Sequence, residues 1–245
     1  MLKLILAKRK IAKLKRKVKR ETTFLDALIF AYLVAIEEGV WGKKYDAFVL
    51  ALAKLLAGAD IIDEAKDEGK PELFKRGRFL IKEALASVDE ATRKVLLEGI
   101  RKASFGQYLE SRSKEWVFRN FYPMLEHKIG VIAGYVAKAC YLKCCALKGK
   151  PVDERKLNAY YRFASKVAIA LQVGYDDIRD LYIDAKHSSF NTYSLLGSVE
   201  AMRSFALACL VQAKDTLSHF RRRWLFARLL KKVKKMVLKS RPQQF

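Results

Sequence analysis

Proline is scarce in this sequence, with four residues among 245. No stretch shows the alternation of apolar and polar residues, bounded by turn signals, that is typical of a β-strand. Apolar residues instead recur at steps of three and four along nearly the whole chain, which is the period of an amphipathic helix. The stretches between turn signals are too long and too apolar for a repeat protein. The sequence therefore predicts an all-α protein built as a single helical bundle.

Long apolar runs are also missing, because none reaches the roughly 18–20 residues needed to span a bilayer. The first residues interleave lysine with apolar side chains, unlike a signal peptide. We therefore expect neither a transmembrane helix nor a cleaved signal. The cysteines have neither zinc-site spacing nor the pattern of a disulfide scaffold, and we expect buried thiols in a cytoplasmic protein. They are Cys140, Cys144, Cys145 and Cys209.

Acidic residues are absent from both ends of the chain. Residues 1–20 and 221–241 each hold ten lysines and arginines and no aspartate or glutamate, which leaves 29 basic and 26 acidic residues for the rest. The apolar residues of each end fall on one helical stripe. The sequence thus predicts a basic amphipathic helix at 1–20, a helical domain at 21–220, and a basic helix and tail at 221–245.

The basic ends have three possible partners. Each helix could lie on anionic lipid, pack on the main domain, or touch RNA, and composition alone does not choose among them. We favour an anionic membrane surface over nucleic acid. The protein would then be cytoplasmic or held peripherally at a membrane.

Carboxylates recur on one helix face at two places in the chain. Because a buried charge is costly unless it is paired or bound to a metal, two such rows in apolar surroundings suggest a site. The first row is Asp60, Asp63 and Asp67, and the second is Asp176, Asp177 and Asp180. If the rows face each other at the mouth of a bundle, they would bind Mg²⁺ through oxygen and bridge it to substrate phosphates. The alternative is that each row is a solvated helix face.

Taken together, the motifs resemble those of the trans-prenyl (polyprenyl) diphosphate synthases over most of residues 24–196. The family's Asp-Asp-x-x-Asp motif is matched in part by Ala59–Asp63, followed by Lys70 and Pro71, and in full by Asp176–Asp180. Gln172 lies one residue further upstream of the second motif than the family places its glutamine. Gly106-Gln107, Lys128 and Asn191-Thr192-Tyr193 follow the order of weaker family signals.

The sequence also departs from the family pattern, as a divergent and shortened member would. Ala59 stands in place of an aspartate, and Asn191 in place of a lysine. The arginine pair after the first motif is missing, with Lys75 and Arg76 as candidate substitutes. No Gly-Lys-x-x-Arg-Pro element is found near the start. The segment from Pro71 to Gly106 is shorter than the family's usual pair of helices, so we expect part of the cavity wall to be missing.

The resemblance implies a single orthogonal helical bundle of the isoprenoid synthase type with a central cavity. It implies a prenyltransferase-type enzyme that ionises an allylic prenyl diphosphate with Mg²⁺ for isoprenoid chain condensation, and that forms a homodimer or a heterodimer with a related synthase. Both carboxylate rows would hold the metal ions. The substrate would be bound by Lys70, Arg76, Gln107, Lys128 and Gln172.

Two other functions compete with this one. The departures from the family pattern favour a non-catalytic synthase-like subunit, or a protein that binds a prenyl lipid without turning it over. The charge of the two ends is equally compatible with a helical scaffold that binds membranes or RNA. In that case the carboxylate rows are surface features.

Overall fold

The computed structural model describes residues 9–14, 16, 28–67, 69–110, 112, 114–187 and 191–243, and within these ranges no strand occurs. Residues 9–14 are helical. The following helices are α1 (Leu28–Glu38), α2 (Lys43–Asp67), α3 (Pro71–Ala86), α4 (Glu90–Glu110), α5 (Lys114–Arg119), α6 (Phe121–Leu125), α7 (Val131–Lys148), α8 (Glu154–Leu171), α9 (Asp177–Arg179), α10 (Leu181–His187), α11 (Tyr193–Leu196), α12 (Val199–Asp215) and α13 (Arg223–Lys239). The predicted all-α class is confirmed.

Three irregular turns join some of these helices. π-helical turns over Glu126–Gly130 and Gln172–Asp176 link α6 to α7 and α8 to α9, and a 3₁₀ turn over Thr216–His219 follows α12. A π turn has i→i+5 hydrogen bonds and often marks a functional site. The two π turns lie on the Lys128 segment and just before the second carboxylate row.

The helices form two compact units, which meet in sequence at Glu98/Gly99, Gly134/Tyr135 and Asp153/Glu154. The first contains α1–α3 with the start of α4 and most of α7, and the second contains the remaining helices. This division does not test the predicted boundaries at 20/21 and 220/221, which stay predictions.

In the first unit, α1 is buried on nearly every face, as its apolar sequence dictates. The hydroxyl of Tyr45 donates a hydrogen bond to the carbonyl of Ala31 at 2.7 Å, which ties α2 to α1. Helices α2 and α3 cross at two glycines. A β-carbon on Gly58 would lie 2.7 Å from the carbonyl oxygen of Gly77, and one on Gly77 would lie 2.6 Å from Ile62. The side chains of other residues would therefore separate the two helices at this point.

The expectation that residues 71–106 are too short for a pair of helices was wrong, while a missing part of the cavity wall stays a prediction. This segment contains α3 and most of α4, and only Ser87, Val88 and Asp89 separate the two helices. The carboxylate of Asp89 accepts a hydrogen bond from the amide N–H of Thr92 at 3.0 Å, so it caps α4 at its first turn. A pair of helices fits here because the connection is so short.

In the second unit, α13 packs through its apolar stripe. The buried residues of α13 are Leu225, Phe226, Leu230, Val233 and Val237. The ring of Phe226 lies 4.1 Å from that of Phe220 and 5.1 Å from that of Phe163, measured between centroids. Three partners were considered for the basic C-terminal helix, namely lipid, the main domain and RNA. The structure shows that the apolar side of this helix packs on the main domain.

One helical stretch among the described residues, Phe121–Lys148, is long and apolar enough to cross a membrane. Since 67% of its most apolar window is buried, the stretch is equally compatible with the core helix of a globular protein, and it is weak evidence for a membrane span. All four cysteines are buried and free, as expected.

Candidate functional site

The second carboxylate row begins at the last residue of the π turn that follows α8. The side-chain amide of Gln172 donates a hydrogen bond to Oδ1 of Asp177 at 2.6 Å. Residues five apart do not share a face of an α-helix, whereas a π turn brings them together. The π turn thus takes up the one extra residue that separates Gln172 from the carboxylate row.

Asp177 is a buried acceptor with its oxygens engaged by the protein. Asp177 is only 6% exposed. Oδ2 accepts hydrogen bonds from the hydroxyl of Thr192 at 2.6 Å and from the amide N–H of Thr192 at 3.2 Å. Burial raises the pKa of Asp177, while the hydrogen bonds from Thr192 and Gln172 lower it, and the net shift is upward. Asp177 therefore anchors the segment after α10 to the end of α8.

Asn191 completes this anchor. Its side-chain NH₂ donates to the carbonyl oxygen of Asp177 at 2.8 Å and to the carboxylate of Asp184 at 2.7 Å. Its side-chain oxygen accepts from the amide N–H of Tyr193 at 2.9 Å. Asn191 is 6% exposed and Thr192 is fully buried. The asparagine that stands in place of the family's lysine thus makes internal hydrogen bonds and supplies no positive charge.

Asp176 and Asp180 are the more accessible carboxylates of this row, since both are half-buried. They lie one helical turn apart, and the amide N–H of Asp180 donates to the carbonyl oxygen of Asp176 at 2.9 Å. Burial and the charge of Asp184 raise the pKa of Asp180, and Arg179 lowers it, with a net upward shift. The guanidinium of Arg179 also donates to the hydroxyl of Tyr175 at 3.2 Å.

The first carboxylate row lies near the end of α2 in the first unit. Asp60 and Asp63 are half-buried and one turn apart, while the side chain of Asp67 lies outside the described part. Lys70 is exposed just before α3, and Arg76 is exposed on α3 beside the Gly77 crossing. The structure thus places Arg76 on the helix that packs against α2, the helix that carries the carboxylate row. A shared metal site between the two rows, and the central cavity, stay predictions.

Lys128 and Gly106 meet in the second unit. A β-carbon on Gly106 would clash with the backbone nitrogen of Lys128, so glycine is needed where α4 crosses the first π turn. Lys128 is half-buried. Gln107 follows Gly106 in α4, but its side chain lies outside the described residues. The backbones of the two predicted substrate-binding segments are therefore adjacent.

The donor chemistry of the rows fits Mg²⁺. Within the described ranges, no three His, Cys, Asp or Glu side chains form a group that could hold a metal ion. Mg²⁺ is usually bound by one or two carboxylates together with waters and substrate phosphates. Asp60 with Asp63, and Asp176 with Asp180, each offer two carboxylates of this kind. Each pair therefore fits an ion that shares its ligands with a diphosphate.

Two residues at this site were not assigned a role from the sequence. Thr192 was recognised only as part of a weak motif, and Asp184 lies outside the two carboxylate rows. Asn191 and Thr192 are buried and their polar groups therefore need partners, which the sequence alone does not show. Asp177 is less accessible than Asp176 and Asp180, and the assignment of metal ligands stays a prediction.

Several solved structures share this fold. The chain is similar to a polyprenyl synthase from Caulobacter crescentus in complex with calcium and isoprenyl diphosphate, with 14% identity over 98% of this chain and 97% of that chain, at a TM-score of 0.73. It is similar to a geranylgeranyl pyrophosphate synthetase from Geoglobus acetivorans, with 17% identity over 94% and 96% of the two chains and a TM-score of 0.71. A medium/long-chain prenyl pyrophosphate synthase from Arabidopsis gives 12% identity over 94% and 97%, and a TM-score of 0.72.

Sequence comparison gives no such matches. No protein-family model matches the chain, and no curated protein matches it. The chain therefore has the all-α fold of the trans-prenyl diphosphate synthases with a strongly divergent sequence. The resemblance inferred from the motifs is confirmed at the level of the fold.

Proposed function

We propose that this chain is a prenyltransferase-type enzyme that ionises an allylic prenyl diphosphate with Mg²⁺ for isoprenoid chain condensation. The observation that carries the proposal is the arrangement at the end of α8, where Asp177 anchors the turn and leaves the carboxylates of Asp176 and Asp180 half-buried. The fold supports the same chemistry, since a solved neighbour is described as a complex with calcium and isoprenyl diphosphate.

In this proposal Asp60, Asp63, Asp176 and Asp180 would hold Mg²⁺. The chemistry supplied by the bound ions would be neutralisation of the charge that develops on the leaving diphosphate. Lys128, Lys70 and Arg76 would contact phosphate oxygens as cations. A substrate contact of Gln172 stays a prediction, and its side-chain amide also donates to Asp177 and holds the turn in place. We therefore assign Gln172 a positioning role.

A second candidate function is a non-catalytic subunit that binds a prenyl diphosphate or partners an active synthase. The internal hydrogen bonds of Asn191 favour it, since this position contributes no cation for a diphosphate. The alanine at position 59 removes one further oxygen ligand from the first row. A heterodimer with a related synthase would suit this candidate, whereas a homodimer suits the first.

Turnover assays distinguish the two candidates. The purified protein is incubated with allylic diphosphates of several chain lengths, with and without isopentenyl diphosphate, and pyrophosphate release and chain products are measured. We expect release that requires Mg²⁺, that is lost in Asp176→Asn and Asp180→Asn, and that is retained in the matched control Asp215→Asn, an exposed aspartate at the end of α12. Calorimetric binding of a prenyl diphosphate without release would support the second candidate. The absence of both binding and release would refute the first candidate and the lipid-binding form of the second.

A further inference from the structure

The outward side of α13 is a strongly basic surface. Because the apolar stripe of this helix is buried in the second unit, its lysines point away from that unit. No acidic residue occurs between Arg223 and Lys239. The exposed lysines are Lys231, Lys232, Lys234, Lys235 and Lys239. At 1.5 Å per residue, these 17 residues form a rod of roughly 26 Å.

The outermost row of this surface is not purely cationic. At about 100° per residue, the row on the side opposite the buried stripe contains Trp224, Arg228, Lys231 and Lys235, with Leu238 at its edge. Trp224 is 55% exposed and Leu238 is 51% exposed, and they lie near the two ends of the helix. A large aromatic and a leucine held in water beside lysines are what a partner with both apolar and anionic groups would cover.

We infer that the outward face of α13 docks on an anionic lipid surface with the helix lying parallel to that surface. Lysines near such a surface are attracted by the negative headgroups. Tryptophan is favoured at the headgroup level, where its ring is partly apolar and its N–H stays hydrated. The exposed Leu238 favours lipid over RNA as the partner, because an aliphatic side chain makes no favourable contact with a phosphate backbone.

The mode of binding differs from that of a free amphipathic helix. Such a helix buries its apolar face in the membrane. Here Phe226 and the rest of the stripe already pack against the second unit, with the ring of Phe226 4.1 Å from that of Phe220. Binding is therefore mainly electrostatic, with Trp224 as a shallow anchor, and it weakens when salt screens the charges. This inference does not depend on the proposed catalytic activity.

The test compares the full-length protein with two variants that lose the same charge. The docking variant is Lys231→Gln, Lys232→Gln, Lys234→Gln and Lys235→Gln. The matched control is Lys43→Gln, Lys44→Gln, Lys82→Gln and Lys94→Gln, all exposed in the first unit. Co-sedimentation is measured with vesicles of phosphatidylcholine alone and with added phosphatidylserine. Trp224→Ala is measured in parallel.

We expect binding to the phosphatidylserine vesicles that falls as salt rises from about 0.1 to 1 M. At about 1 kcal/mol per basic residue, four lysines account for at most a roughly thousandfold change in affinity. We expect the affinity of the docking variant for these vesicles to fall more than tenfold. The affinity of the control variant should fall by less than half of that change, measured as the logarithm of the affinity. Trp224→Ala should weaken binding with no loss of charge.

Three results would overturn the inference. The first is equal loss in the two lysine variants, which would mean that only net charge matters. The second is equal binding to vesicles with and without phosphatidylserine. The third is binding to single-stranded RNA that the docking variant loses, with no binding to vesicles, which would identify the face as a nucleic-acid surface. Trp224→Ala keeps the inference testable if the four-lysine variant folds poorly.

Discussion

Replacement of Asp177 by alanine should destabilise the protein in the absence of any metal ion or substrate. The carboxylate accepts hydrogen bonds from the hydroxyl and the amide N–H of Thr192 and from the amide of Gln172. Because Thr192 is fully buried, alanine at position 177 leaves two of its donors without an acceptor. Each buried unsatisfied donor costs about 1–3 kcal/mol.

Two effects reduce the total. Gln172 is half-buried, so water can take over part of its lost hydrogen bond. Burial also raises the pKa of Asp177, which means that the ionised carboxylate is itself costly to bury, and alanine removes that cost. We therefore expect a net loss of about 2–4 kcal/mol in the free energy of unfolding, below the upper end of the roughly 2–6 kcal/mol that two unsatisfied donors of Thr192 would cost.

Urea unfolding followed by circular dichroism measures this loss. The matched variant is Asp176→Ala, which removes the neighbouring half-buried carboxylate and should cost less than about 1 kcal/mol. A double-mutant cycle with Thr192→Val should give a coupling of about 0.5–3 kcal/mol between positions 177 and 192. Equal losses for Asp176→Ala and Asp177→Ala, or a coupling near zero, would refute the anchoring role.

Two further predictions concern the packing of each unit. Phe226→Ala should lower the free energy of unfolding by about 3–5 kcal/mol, because the ring is buried among aromatic side chains, whereas Leu238→Ala on the exposed side of the same helix should change it by less than about 0.5 kcal/mol. Burial alone would raise the pKa of Asp89, but hydrogen bonds from Thr92 and Lys143 lower it to about 2 from an ordinary 3.8. The stability contributed by this carboxylate is fully present above pH 3.8 and is lost as the pH falls toward 2. Urea unfolding across that window should show the difference between wild type and Asp89→Asn shrinking, and a constant difference would contradict this reasoning.

The helical class and the burial of the C-terminal stripe follow from sequence periodicity, because each apolar stripe needs a packing partner. The pair of helices within residues 71–106 did not follow, since the expectation rested on segment length. The connection at Ser87–Asp89 is only three residues long, and Asp89 makes it possible by capping α4 with its own carboxylate. The number of residues in a segment does not show whether one of them can cap the next helix.

The carboxylate rows were predictable from their spacing, but the distinct roles of Asp176 and Asp177 were not. Adjacent helical residues point about 100° apart, so these two carboxylates meet different surroundings, and Asp177 is buried while Asp176 is half-buried. Which of the two is buried depends on the π turn, which is visible in the sequence only as one extra residue after Gln172. The partner of the buried carboxylate, Thr192, lies 15 residues further along the chain. Its role depends on tertiary contact, and a local pattern does not reveal it. The carboxylate of Asp177 already accepts hydrogen bonds from the protein, so substitution of Asp177 should mainly lower the stability of the fold. Substitution of Asp176 should mainly weaken the metal-dependent binding of a diphosphate.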